Sequence, residues 1–318
     1  MAEFILEPEP DTVRFGMFDA AFDPVLTIDS GDSVRLRAVS GGPEVMPPPG
    51  SGFAIPESLA AIHAAGLERM GPHILTGPVA IRGAEPGDML EVRIDDVQLD
   101  CDWGYCAIKP LLGTLPEEFD EFFVSHIAID RNARTAHLPW GQELALSPFF
   151  GTMGVAPPPE YGRLSSREPR KHGGNIDNRE LGVGSTLFLP VWVPGANFSA
   201  GDGHGAQGDG EVCVNALETG LIGRFTFILH KRQGTTPLLA FPRAETPTHY
   251  ITMGINSDLD RALEQALREM IAFICARSNL GREHAYQLCS LAADFRITQS
   301  VNGEKGVHGM LAREMLPV

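Results

Sequence analysis

Cysteine is scarce and poorly placed for a framework. The five, Cys101, Cys106, Cys213, Cys275 and Cys289, are odd in number and contain no CxxC pair. That argues against a zinc ribbon or a disulfide scaffold and makes a reducing cytoplasm the expected compartment. Positive charge is short as well. Lys and Arg total 25 against 41 Asp and Glu, a net charge of −16. With no basic stripe to offset it, neither nucleic acid nor an anionic membrane is an expected partner. No apolar run approaches the roughly eighteen residues of a membrane span. The start, MAEFILEPEPDTV, has no basic segment followed by an apolar one, so no secretory signal is expected.

Glycine (35) and proline (25) are plentiful, and they punctuate short apolar runs. That pattern predicts many brief strands joined by turns. VLTIDSGDSVRLRAV reads as strand, Gly31-Asp32 turn, strand, and VAIRGAEPGDMLEVRIDDVQL as strand, Pro86-Gly87 turn, strand. EFFVSHIAID and STLFLPVWV are further strands, the second apolar on both faces and therefore central. GEVCVNALETGLIGRFTFILHKR suggests another pair. Helical signals are few: a short helix over about 56–70, a stronger one after Ser257 that Gly281 ends, and a third over about 283–293. In the second, Leu259, Leu263, Leu267, Met270, Ile271 and Ile274 form one apolar stripe suited to core or subunit interface. The expectation is a mainly β chain with α-helices concentrated after residue 256. Residues 1–318 are expected to form a single domain; any boundary between β subdomains falls near 147–179, a long Pro-, Gly- and charge-rich loop of functional or linker type.

The densest glycine lies in FSAGDGHGAQGDGEV, residues 198–212. GHGAQG has the spacing of a dinucleotide fingerprint, but strand-like residues follow where a helix is required. The aspartates lack the repeats of a β-helix calcium motif and the flanking helices of an EF-hand. Asp202 and His204 are two apart, so on an extended segment both face one ion, and Glu211 stands close as a further ligand or a general base. An oxygen and nitrogen donor set without thiolate suits zinc, which acidifies its water; calcium is the structural-ion alternative. The residues alone also admit a Gly-Asp turn whose aspartates cap their own backbone. KHGGNIDN adds Asn175 and Asp177, again alternate residues, with His172 nearby.

Together TGPVAIRGAEPGDMLEV, FFGTMGVAP, GGNID, LFLPVWVPGANFSAGDGHGAQGDGEV, ALET and AYQLCSLAADFRITQSVN resemble the acetamidase/formamidase family, in order over nearly the whole chain. The resemblance implies a mostly β fold with sandwich- and barrel-like parts, and a homo-oligomeric hydrolase of short aliphatic amides, releasing carboxylate and ammonia. It also implies that Asp177, Asp202, His204 and Glu211 lie in the active centre and engage a divalent metal. On this reading Asp202 and His204, helped by Asp177, hold the metal and Glu211 moves the proton. Asn175 and Gln207 hold a small neutral amide, which an acidic protein has no reason to disfavour. Gly205-Ala206 stands where some members carry an aromatic, and PPPEYGRLSSREPRK is individual to this chain; both bear on the substrate.

Other residues stay open. His73 and His172 are ligands or loop histidines, and Glu218 is an acidic site residue or a solvent-facing one. Cys106 and Lys109 invite a thiol-amidase reading, but their surroundings lack the α/β alternation of that fold, which leaves Cys106 a small buried apolar residue. The alternative function is a catalytically silent β-scaffold that binds a ligand or calcium.

Overall fold

The computed structural model describes residues 1–316. Two large sheets face each other. The first has nine strands in the order Glu3–Leu6, Ser33–Ala38, Leu221–His230, Met89–Leu99, Thr186–Pro190, Arg243–Glu245, His249–Asn256, Lys305–Ala312 and Ala293–Gln299. The second runs Gly173–Asn175, Phe149–Gly154, Phe198–His204, Ile74–Ile81 and Val13–Phe15, with Leu26–Ile28 beside Ile74–Ile81. A four-stranded meander, Trp103–Ile108 to Glu143–Ala145, completes one flank. The core between the large sheets is mostly aliphatic, with four phenylalanines packed within it. Phe150 meets Phe225 edge-on at 5.1 Å, and Phe198 meets Phe227 the same way at 5.1 Å. All four rings are buried, each contributing roughly 1.5–3 kcal/mol by transfer out of water.

Thr186–Pro190 is central, as its unbroken apolarity requires. The two early strand–turn–strand segments do not close as hairpins. Leu26–Ile28 and Ile74–Ile81 lie in the second sheet, Ser33–Ala38 and Met89–Leu99 in the first, so each turn carries the chain across the sandwich. The Asp32 carboxylate fixes the first crossing by accepting from the backbone N–H of Ala2 and Asp29. Only one member of the expected pair over 210–232 forms, Leu221–His230. Glu211 and Val214 have φ of 46° and 75°, left-handed rather than extended backbone.

Helices occur at Glu57–Ala64, Leu259–Arg277 and Arg282–Ala292. Asp258 caps the second, accepting from Asp260 N and Arg261 N, worth about 1 kcal/mol. Gly281 caps the start of the third helix; the second has already ended at Arg277. The buried face of the long helix is Ala262, Ala266, Met270, Phe273 and Ile274, while Leu263 is 40% exposed. The helix lies so close on His249–Asn256 that alanines, not leucines, fit beneath it.

The 147–179 segment is more ordered than its composition suggests. It carries the fully buried strand Phe149–Gly154 and the short strand Gly173–Asn175. Between them His172 is fully buried against Phe18, and neither ring nitrogen has a hydrogen-bond partner among the described residues. Burial pulls its pKa down to about 3. An unfolded chain therefore takes up a proton near pH 6.5 that the folded chain refuses, and stability is lost as pH falls from 6.5 toward 3, at up to about 1.4 kcal/mol per unit. His172→Phe is expected to flatten the fall of Tm between pH 6.5 and 4; parallel Tm curves for variant and parent would show that this histidine contributes nothing to acid sensitivity.

Candidate active site

Asp202 and His204 stand on Phe198–His204, and Gly203 and Gly201 pair with Phe150 and Thr152, which sets Asp202 opposite Gly151. The glycines of GDGH are there for close approach. A Cβ on Gly201 would lie 2.2 Å from Ile74 O, and one on Gly203 2.3 Å from Thr219 O. That compression brings residues 217–219 alongside: Thr219 N donates to Gly203 O at 2.7 Å, and Gly205 N to Leu217 O at 2.7 Å. Glu218 is thereby carried into the site, with its backbone also paired to Tyr105. From the other side Asp177 N donates to Gly151 O at 3.0 Å. Glu211 sits in a turn rather than at a strand start, held where Gly210 bonds Thr298 and Ser300.

These side chains converge. His204 Nε2 lies 3.4 Å from Asp202 Oδ2, 3.4 Å from Glu218 Oε1 and 4.0 Å from Asp177 Oδ1. Asp177, His204 and Glu211, and likewise Asp202, His204 and Glu218, bring one donor atom each within 4.8 Å of one another. All five are buried. Three of the four acids, Asp177, Asp202 and Glu211, have left-handed backbones at φ 51°, 62° and 46°. Such residues cost about 1–3 kcal/mol each and concentrate at functional sites.

Gln207 fixes the imidazole. Its Nε2 donates to Asp177 O at 2.7 Å, so its Oε1 is the atom that faces His204 Nδ1 at 2.9 Å. Nδ1 therefore carries a proton, and Nε2, which bears the lone pair whenever the ring is neutral, points at the carboxylates. Gln207 was expected to hold substrate; both of its polar atoms are instead spent on the protein, and it does not line the cavity. Asn175 does line the cavity. Its Oδ1 accepts from Thr152 Oγ1 at 2.8 Å, while its Nδ2 donates to Arg167 O.

Charge is not balanced within this cluster. Burial, reinforced by neighbouring carboxylates, raises Asp177, Glu211 and Glu218 above the usual range. Burial would also raise Asp202, but the His73 and His204 rings outweigh it and hold that carboxyl low. His204 is raised against its burial by Glu218 and Asp202. Asp177 Oδ1, Glu211 Oε2 and His204 Nε2 have no hydrogen-bond partner. A Cβ on Gly151 would fall 2.5 Å from Asp177 Oδ1, 2.6 Å from His204 Cε1 and 2.7 Å from Asp202 Oδ2. Orphaned donors around a space kept clear by glycine fit a divalent cation.

Asp177, Asp202, Glu211 and Glu218, though not His204, line a cavity of about 430 Å³ whose wall also includes His73, Tyr105, Lys109, Asn175 and Asn302. His73 reaches Asp202 Oδ2 with Nε2 at 3.6 Å and Ser166 with Nδ1. His172 is not among the lining residues. Glu218 is 3% exposed, which removes the solvent-facing reading. The residues unassigned from sequence are Gly151 and Thr152, whose hydroxyl lies 3.2 Å from Asp202 Oδ2, and Asn302, which donates to Asp177 Oδ2 at 2.6 Å. They lie in FFGTMGVAP and TQSVN, stretches whose polar residues contrast with apolar neighbours but name no partner.

The sequence model described as "Acetamidase/Formamidase family" matches residues 50–163 and 163–308. Formamidase of Methylophilus methylotrophus is 31% identical over 191 residues, 44% of this chain and 47% of its own length. Acetamidase of Mycolicibacterium smegmatis is 27% identical over 211 residues, 46% of this chain and 51% of its own. The match thus spans about half the length of each of these curated relatives. The crystal structure of acetamidase from Bacillus halodurans superposes with a TM-score of 0.84 at 29% identity, covering 99% of this chain and 100% of that one.

Proposed function

This chain belongs to the acetamidase/formamidase family, and on that premise we propose that it hydrolyses a small neutral amide to carboxylate and ammonia. The observation that carries the reading is the convergence of His204 Nε2, Asp177 Oδ1 and Glu211 Oε2, all buried and unpartnered, with Asp177 and Glu211 lining a cavity. Asp177, Asp202 and His204 would hold a divalent cation, and the nitrogen donor favours zinc over calcium, which prefers all-oxygen shells. When bound, such a cation polarises a carbonyl and lowers the pKa of water to about 7. Gln207 keeps the His204 lone pair aimed inward. Glu211, with a free oxygen at the cavity, is placed to take a proton from the attacking water and return it to the departing nitrogen. The Asn175 side chain shapes the wall against which the amide lies.

No helix among the described residues is long and apolar enough to cross a membrane. Five free thiols fit the reducing cytoplasm. Self-association is supported by the exposed Leu111, Phe119, Phe123 and Trp140 around the four-stranded meander.

The test is elemental analysis of protein purified without added metal, run beside ammonia release from formamide, acetamide and longer amides. Stoichiometric metal, with hydrolysis abolished by chelation and restored by zinc, is the expected result. Full activity in metal-free protein would overturn the metal assignment, and no ammonia from any amide would overturn the reaction.

A further inference from the structure

Cys106 and Cys213 are 107 positions apart, yet their sulfurs lie 3.5 Å from each other. Cys106 is on Trp103–Ile108, fixed by pairing with Ser125 on the neighbouring strand. Cys213 is in the irregular segment between Glu211 and Glu218, where Glu211 and Val214 are left-handed. Both are half-buried free thiols, and both point at the same acceptor, the Asn215 carbonyl. The Asn215 side chain in turn donates to Glu218 Oε1 at 3.3 Å. One half of the pair is therefore anchored and the other rides on the segment that carries two of the site's carboxylates.

We propose that Cys106 and Cys213 form a reversible disulfide that switches the site off under oxidation. The oxidant is a peroxide. One thiol is oxidised by it to a sulfenic acid, releasing water. The other thiol's sulfur then attacks that sulfur, the S–S bond forms, and a second water leaves. Two thiols and one hydrogen peroxide thus give one disulfide and two waters, each sulfur losing one electron. Bond formation closes the sulfur separation from 3.5 Å to about 2.05 Å. Because the Cys106 strand is held, the movement falls on the 211–217 segment. It removes both thiols from the Asn215 carbonyl and shifts the amide that touches Glu218. The same contact means that a thiol reagent can inactivate the enzyme through Cys213 without any cysteine acting as nucleophile.

The chemistry is independent of the amidase reading, while its effect on turnover rests on it, so the two are measured separately. The full chain is treated with hydrogen peroxide, its thiols are titrated in denaturant, and peptides are mapped without reduction. Titratable thiols are expected to fall by two from five, with a linked peptide pair containing Cys106 and Cys213. Ammonia release should fall about ten-fold or more and return with dithiothreitol. Cys106→Ser and Cys213→Ser should each keep the activity of the reduced parent and resist the oxidant reversibly. Absence of the linked peptides overturns the proposal, as does equal, reducible inactivation of parent and Cys106→Ser. Linked peptides in a chain that hydrolyses no amide would leave the disulfide standing and overturn its proposed control of turnover.

Discussion

Gly151→Ala is expected to abolish cation binding and hydrolysis in a protein that still folds. Gly151 is not among the left-handed glycines, and it lies in a fully buried strand whose backbone alanine can adopt. Local conformation therefore gives no reason for glycine; the space does. The added methyl would sit within 2.7 Å of Asp177 Oδ1, His204 Cε1 and Asp202 Oδ2, inside van der Waals contact with all three. Either the methyl takes the cation's place or the donors are pushed apart, and both outcomes remove the ligand set. A cation contributing several kcal/mol to the transition state sets the expected loss at on the order of 10³-fold or more in kcat/KM. Elemental analysis should find the variant empty beside a filled parent. Its Tm should match that of the chelated parent, which separates a lost ion from a lost fold. A variant with stoichiometric metal and near-parental turnover would show that the space above Gly151 has no part in the site.

How much of this was legible before the structure depends on how local the cause is. Asp202 and His204 were readable because alternate residues on an extended segment share a face, although Asp202 reaches its place with φ at 62° rather than in an ordinary strand conformation. Asn175 and Asp177 follow the same rule in GGNID. Glu218 was not readable. Its burial depends on residues 217–219 lying between His204 and Tyr105, a pairing across more than a hundred positions. His73 meets Asp202 for the same reason, through the neighbouring strand Ile74–Ile81. The contacts of Gln207 were not readable because an amide looks alike in sequence whether it meets a substrate or an imidazole; only its bond to the Asp177 carbonyl decides which atom faces His204.

The fold divides the same way. Strands with period-two polarity were visible, but a turn that closes a hairpin and one that crosses between sheets have the same composition, so LTI and SVRLRA could not be sent to separate sheets. EVCV has the apolar content of a strand; its departure from one is imposed by the turn that presents Glu211. The long helix was placed within a residue or two, and most of its stripe faces inward: Met270 and Ile274 are buried and Leu259, Leu267 and Ile271 pack against the core, while Leu263 is 40% exposed. What the stripe missed is Ala262 and Ala266, small residues that fit where the sheet lies closest to the helix. Cys213 beside Cys106 is another long-range meeting that spacing did not disclose.

Glu211→Gln is expected to cut kcat by about 10²–10⁴-fold while metal content and KM stay close to those of the parent. The substitution conserves volume and leaves one oxygen acceptor, so the turn bonded to Thr298 and Ser300 through Gly210 is undisturbed. What it removes is the capacity to accept a proton. Burial, followed by the Asp177 carboxylate, pushes the Glu211 carboxyl well above its ordinary range. A cation held by its neighbours would draw that carboxyl down again, since opposite charge favours the ionised form. A base at Glu211 would then be poised between the two influences, as proton transfer near neutrality requires. Its titration should appear as the acidic limb of kcat/KM, activity falling as pH drops and Glu211 protonates, and Glu211→Gln should lose that limb along with most of the rate. If Glu211 were only a ligand, the same variant would lose metal in proportion to activity and keep its turnover per bound ion. Glu218→Gln supplies the contrast. Glu218 Oε1 is already occupied by Asn215 Nδ2 and the Ala216 N–H and lies 3.4 Å from His204 Nε2, so Glu218→Gln is expected to weaken metal retention through His204 before it alters the pH profile.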